Sequence, residues 1–338
     1  MVAALTWLAV GLAMIGAFCV AVLALRRLAL ARGERKRVAA EGRLKPQALA
    51  LLDGDPAAVG DLPPEDMPVV AGLLARYAHH LSGSERREIA IFFETHGGVD
   101  HELSHLRSRR AWRRATSAFL LGDMASPRAV QPLIHALDDA DAAVRAAAAR
   151  SLGRLAAPEA VEPLVYAHAA EKLPRTVAGQ ALLAVGAPAL PPLRALLEAA
   201  EPGAREFAVE LVGLLGDAGD SPAVVRRLAD SSAEVRAKAA RALGRLGARD
   251  GTAALTATLR DRIPFVRAAA AHALAAVGDR EAAVPLLRLA AHDHFDPARA
   301  AGHAAARLDP AAVLRAAGSD AAGGHIEEAA DLVVLRLP

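Results

Sequence analysis

"RLGARDGTAALTATLRDRIPFVRAAAAHALAAVG", residues 245–278, carries the pattern that decides the fold. A turn at 248–251 precedes one apolar-periodic segment, and a second turn at 261–264 precedes another that closes at Gly278. Proline at a helix start and glycine just past its end are ordinary boundary signals. In the second segment Val266, Ala270, Leu274 and Val277 recur at i, i+4, i+8 and i+11, the spacing of one buried helical stripe. The stretch therefore predicts two short helices in one unit. Nothing alternates with period two, so no sheet is expected.

The unit recurs. An apolar residue that closes a helix, usually with a glycine beside it, stands at Leu121, Leu155, Val185, Leu215, Leu246, Val277 and Leu308, at spacings of 34, 30, 30, 31, 31 and 31. Ten residues before most of these lies an arginine (Arg145, Arg175, Arg205, Arg236, Arg267), and six before several of those an aspartate (Asp139, Asp230, Asp261). Two independent markers keep one phase. A fixed period of this length marks a solenoid, whose units stack because none can bury its apolar face alone.

The pattern D-x-x-x-x-V-R followed by A-x-x-A-L-G-x-L-G stands nearly whole in "DSSAEVRAKAARALGRLG" (230–247) and in "DADAAVRAAAARSLGRLA" (139–156). These residues resemble the HEAT repeat family, in a short bacterial form similar to the phycobilisome-lyase repeats, over roughly 60% of the chain. The resemblance implies an all-α fold, a right-handed α-α superhelix of HEAT/armadillo type whose second helices line the concave side and hold partners. A fold does not name a function.

Residues 1–25, "MVAALTWLAVGLAMIGAFCVAVLAL", contain no charged side chain over a length that matches the roughly 20 residues needed to span a hydrocarbon core. Arg26, Arg27, Arg32, Arg35, Lys36 and Arg37 follow, against Glu34 alone. A cleaved signal peptide carries its basic residues before the apolar run, so a retained transmembrane helix is expected. The positive-inside rule then places the amino terminus outside the cell membrane and the solenoid in the cytoplasm. One cysteine excludes a disulfide framework and suits a reducing compartment.

The formal net charge is +2, and the segment from Arg26 to Lys45 holds more basic excess than the whole chain. Such a juxtamembrane cluster suits anionic lipid headgroups. Aromatics at 3% provide few stacking platforms, so no nucleic-acid partner is expected. The predicted organisation is an anchor over 1–25, a basic segment over 26–43, a helical capping region of degenerate repeats over 44–108, repeats over 109–316 and a carboxyl-terminal cap over 317–338. Amphipathic helices are expected at 67–81 and 84–95.

One chemical motif stands in the capping region. "HELSH", His101–His105, matches H-E-x-x-H, in which two histidines one turn apart bind zinc and the glutamate serves as general base. Against it, Val99, Leu103 and Leu106 form one stripe and the histidines fall on the opposite, solvent side. The position that would extend the motif is Ser108, no glutamate occurs between Glu102 and Glu159, and only Asp123 could improvise a third ligand. Deoxyhypusine hydroxylases, HEAT-repeat enzymes, hold metal with several histidine–glutamate pairs. Here His272, His292 and His303 are followed by alanine, aspartate and alanine, so those ligands are missing. The glycines near helix ends read as caps.

Surface remains. Five and nine residues past each phase arginine, the second helices present Arg150, Arg154, Gln180, Glu210, Arg241, Arg245 and His272, a column down the concave face. The phase arginines are expected to bond the turn aspartate of their own or the neighbouring unit. A second patch, "RSRRAWRR" (107–114), is expected to bury Trp112, Ala115 and Phe119 and to turn Arg110, Arg113 and Arg114 outward. The resulting expectation is a non-catalytic scaffold without cofactor that binds a protein at the same membrane. The alternative is an enzyme or enzyme subunit, acting through zinc at His101 and His105 or as a lyase-like factor.

Overall fold

The computed structural model describes residues 38–51, 66–78, 84–293, 295–318 and 324–335, with Met14, Arg27 and Pro63. The expected anchor over 1–25 and most of the basic segment over 26–43 lie outside the described residues. Among those described, no helix is long and apolar enough to cross a membrane, and there is no strand.

Helices follow one another throughout: α1 (38–51), α2 (Met67–Ala78), α3 (Ser84–Thr95), α4 (Gly98–His105), α5 (Ala111–Asp123), α6 (Val130–Ala136), α7 (Ala142–Leu155), α8 (Val161–Ala169) and α9 (Arg175–Val185). They continue as α10 (Leu190–Leu196), α11 (Pro202–Leu215), α12 (Ser221–Arg226), α13 (Ala233–Leu246), α14 (Thr252–Thr258), α15 (Pro264–Val277), α16 (Ala283–His292), α17 (Phe295–Leu308), α18 (Pro310–Ala317) and α19 (Gly324–Val334). The chain divides into two compact units, Met1–Arg109 with Ser117–Ala129 and Arg110–Thr116 with Val130–Pro338.

In the first unit Leu44, Leu74, Ile89, Phe93, Val99 and Leu121 are buried, and Phe92 meets Phe93 edge to face at 5.3 Å. The Arg43 guanidinium donates to both carboxylate oxygens of Asp66 at 2.7 and 2.8 Å. The expected burial of Trp112 and Phe119 is corrected: they are 60% and 44% exposed, and Ala115 is half-buried. The repeat register explains this. Ser117 and Leu121 stand 31 residues before Ala148 and Leu152, and Ser117, Ala118, Leu121 and Gly122 form the buried side of α5.

The second unit is a run of helix pairs. Each first helix from α6 to α16 follows a single 3₁₀ turn, and those turns begin at 127, 158, 187, 218, 249 and 280. Within a pair the first helix lies on its second helix, and successive second helices from α7 to α19 pack directly on one another more closely than first helices do, except at the looser junction of α9 with α11. Small residues permit this. A Cβ on Gly213 would lie 2.5 Å from Ala242 Cβ, and one on Gly244 only 3.0 Å from Ala273 Cα. Gly153 meets Ala181 in the same way at 2.9 Å. These three glycines are therefore packing devices, not caps. Gly186, Gly247 and Gly278 do end helices with positive φ of 81°, 61° and 79°, where a side chain would be strained.

Arginines tie one pair to the next. Arg205 donates from Nε and Nη2 to Asp230 at 2.7 and 2.8 Å, Arg236 to Asp261 at 2.6 and 3.0 Å, and Arg267 to Asp293 at 2.5 and 2.6 Å. The remaining guanidinium nitrogen, Nη1, donates to turn carbonyls of the arginine's own unit, as Arg205 does to Ala199 and Ala200. Asp230 and Asp261 also accept the backbone N–H of Ser232 and Ile263, the local bond that makes aspartate favourable at a turn. Each aspartate thus shapes its own turn and receives the preceding unit.

Candidate partner-binding face

Helical spacing alone places the residues five past each phase arginine on one side of the second helices, and the tight packing of that layer sets them in register. Arg150, Gln180, Arg241, Arg245 and His272 are exposed there. Arg154 and Glu210 are not free. Arg154 is half-buried and donates to the Ser151 hydroxyl at 2.8 Å.

Glu210 belongs to a network that the sequence reading did not contain. Arg175 donates to Glu206 at 2.7 Å and to Glu210 at 2.8 Å, and Lys238 approaches the same two carboxylates at 3.1 and 2.5 Å. The network spans α9, α11 and α13. Burial alone would raise both glutamate pKa values, but hydrogen bonds and charge from Lys238 and Arg175 outweigh it and hold them below the usual range. The signal in the sequence was a gap. Where the units after Arg114, Arg205, Arg236 and Arg267 have an aspartate, those after Arg145 and Arg175 have none; Arg145 donates to the Lys172 carbonyl at 2.8 Å, and Arg175, facing Ala199 and Ala200, takes the two glutamates instead.

At the other predicted patch, Arg110 and Arg113 are exposed, and the Arg113 guanidinium lies 5.5 Å from the Trp112 ring centroid. Arg114 does not turn outward. It donates to Asp139 at 2.7 Å from both Nε and Nη2. It stands 31 residues before Arg145 and is the first member of the arginine series.

On α4 the donor atoms of His101, Glu102 and His105 all lie within 4.8 Å of one another, with the two imidazole rings 4.3 Å apart. His105 Nδ1 is 3.8 Å from Glu102 Oε2. All three donors come from one turn and a third of a single helix, and among the described residues no further ligand joins them. Asp123, the candidate third ligand, is buried on α5 and is not part of the cluster. Val99 is fully buried, and Leu103 and Leu106 are half-buried, as the stripe required.

Stacked helix pairs with a close second-helix layer define an α-helical repeat solenoid. Residues 100–184 and 221–307, just over half of the chain, match the family of HEAT repeats, and the chain belongs to that family. Among solved structures it is similar to a Kap121p mutant, at 15% identity over 82% of this chain and 37% of that one with a TM-score of 0.55. Importin beta gives 14% identity over 82% and 44%, with a TM-score of 0.50. The complex of CpcE and CpcF of phycocyanin lyase from Nostoc sp. gives 22% identity over 71% and 94%, with a TM-score of 0.33. The likenesses to the Kap121p mutant and to importin beta show the fold alone. No match is found among curated proteins.

Proposed function

We propose that this chain is a membrane-anchored scaffold or adaptor that holds another protein on the face formed by its second helices, without catalysis. The observation that carries the reading is the column Arg150, Gln180, Arg241, Arg245 and His272, exposed on α7, α9, α13 and α15 and interrupted at α11 by the paired Glu210, in a repeat family whose extended surfaces suit partner binding. In this reading residues 1–25 span the cell membrane, with the amino terminus outside. The basic segment rests on anionic headgroups, and the repeats lie in the cytoplasm beside a membrane-associated partner. Neither a cofactor nor nucleic acid takes part.

Two experiments test it. Replacing Arg241 and Arg245 together with glutamate should abolish capture of the partner recovered from solubilised membranes by the wild type. Helicity and melting temperature should stay nearly unchanged, because exposed charges contribute little to stability. Arg110→Glu with Arg113→Glu is the comparison; loss there with retention in the column variant would move the site to the basic patch. His101→Ala with His105→Ala is expected to be silent. If that pair alone destroyed function, and zinc were found in the wild type, the hydrolase reading would replace the scaffold.

The anchor is tested by fractionation. Full-length chain should sediment with membranes and a chain lacking residues 1–25 should not; recovery of the full-length chain in the soluble fraction without detergent would end the topology.

A further inference from the structure

A cavity of about 610 Å³ opens between α13, α15 and α17, lined by Arg241, Phe265, His272, Asp296, Arg299 and His303. Its composition follows from the repeat. Arg241, His272 and His303 stand 31 residues apart, so the stacking that aligns the second helices brings one guanidinium and two imidazoles to the same height. Arg299, four residues before His303, adds a second guanidinium, which lies 5.4 Å from the Phe295 ring centroid.

The phase arginines Arg205, Arg236 and Arg267 are bound to carboxylates, whereas among the described residues Arg241 and Arg299 have none. His272 feels the excess charge. Partial desolvation within the cavity lowers its pKa, and the positive groups at His303, Arg241 and Arg299 lower it further. His303 Nε2 is buried without a hydrogen-bond partner, 3.5 Å from Glu328 Oε1 on α19. Glu328 is shared with His325, at 3.3 Å. Asp296 is the one carboxylate on the cavity wall, against two guanidinium groups and two imidazoles. Phe265, 40% exposed, and Pro264 supply an apolar wall beside the charge.

We propose that this cavity is a subsite for a phosphate monoester on a side chain of the partner protein, with Arg241 and Arg299 as its principal cations and Phe265 against the ring or stem that carries it. The chemistry favours phosphate over a single carboxylate. A phosphate offers three terminal oxygens and nearly two charges at neutral pH, enough for both guanidinium groups and an imidazole together. A lone carboxylate would leave one of these groups unserved. The cavity is continuous with the exposed column through Arg241 and His272, so a phosphorylated residue would enter as part of the surface that the column holds. The inference rests on the scaffold reading for its source of phosphate, though binding can be measured without the partner.

The test uses full-length protein in detergent and three probes: a blocked tripeptide with a central phosphotyrosine between alanines, its unphosphorylated form, and inorganic phosphate. Binding is read by calorimetry and by the imidazole proton signals, with His272→Gln assigning that histidine. The phosphopeptide should bind at least about tenfold more tightly than either other probe, the scale of one charge-assisted pair. It should raise the titration midpoint of His272, and its affinity should increase as pH falls from about 8 to about 7, above the second phosphate pKa of about 6, because the bound dianion favours the protonated imidazole. Arg241→Gln with Arg299→Gln should lose at least about tenfold while keeping wild-type helicity. Equal binding of the unphosphorylated peptide, or undiminished binding by the double variant, overturns the subsite. Inorganic phosphate binding as tightly as the phosphopeptide overturns the side-chain source. If the proposal fails on these probes while Arg241→Glu with Arg245→Glu still abolishes partner capture, the scaffold reading stands without it.

Discussion

Leu243→Ala is expected to lower the unfolding free energy by about 2 to 5 kcal/mol, whereas Glu234→Ala on the same helix should cost about 0.5 kcal/mol or less. Leu243 is fully buried on α13, beside Gly251 of the first helix's leading turn, and its carbonyl accepts the N–H of Ala248 where the chain leaves the helix. Truncation removes methyl groups from the contact between first and second helices. The tight layer formed by Gly213 against Ala242 and Gly244 against Ala273 limits how far the backbone can move in to refill the space. Glu234 is exposed in the first turn, so little changes there. Chemical denaturation of both variants measures the contrast. Equal losses would mean that the two faces of α13 are wrongly assigned.

Asp230→Ala is expected to cost about 3 kcal/mol, the lower end of the range for breaking a buried ion pair by removing one partner. The Asp230 side chain is 3% exposed and that of Arg205 10%, so water reaches the orphaned guanidinium only poorly. Two hydrogen bonds from Arg205 and one from the Ser232 backbone are lost together. Arg227, 3.8 Å away, loses one of two carboxylate neighbours and keeps Glu198 at 3.1 Å. Because solenoid units communicate through nearest-neighbour interfaces, the damage should fall on the α11–α13 junction. Hydrogen exchange should quicken there before it quickens in α7 or α17.

The same pair gives a dependence on pH. The hydrogen bonds from Arg205 hold Asp230 below its ordinary value, and those from Arg114 do the same for Asp139. At Asp261 burial pulls upward, but Arg236 and the Ile263 N–H outweigh it. A carboxylate with a depressed folded-state pKa contributes stability that is complete above its unfolded value, about 3.9, and disappears as pH falls through the folded value. Melting temperature should therefore drop steeply below about pH 4, and Asp230→Asn should flatten that acid limb. An unchanged limb would show that the ladder contributes no linked stability.

Much of this molecule was legible because it repeats. The 31-residue period, the stripe Val266, Ala270, Leu274 and Val277, and the exposure of Arg241, Arg245 and His272 all follow from local spacing on a helix. Arg114 and Phe119 show where a local reading stops. A basic run beside a tryptophan looks like an outward patch, yet the register inherited from the following units turns Arg114 to Asp139 and leaves Trp112 and Phe119 in solvent. The glycines divide similarly. Gly247 and Gly278 end helices for reasons contained in their own backbone, while Gly213 and Gly244 are required only because another helix lies against them.

By itself, then, the sequence determined which segments are helical, which face the regular repeats bury and that the units must stack, since periodicity and turn chemistry act over a few residues; the face of α5 was not among these. Tertiary structure alone decided which acid each arginine takes, for the partners lie about one unit away: Arg205 and Asp230 are separated by 25 residues, Arg267 and Asp293 by 26. It also decided that Arg175, lacking a turn aspartate, joins Glu206, Glu210 and Lys238, and that Arg299 meets Arg241 around one cavity. Such pairings depend on the translation and rotation from one unit to the next. That geometry is set by how closely small residues let neighbouring helices approach, a property of two surfaces in contact and of neither segment alone.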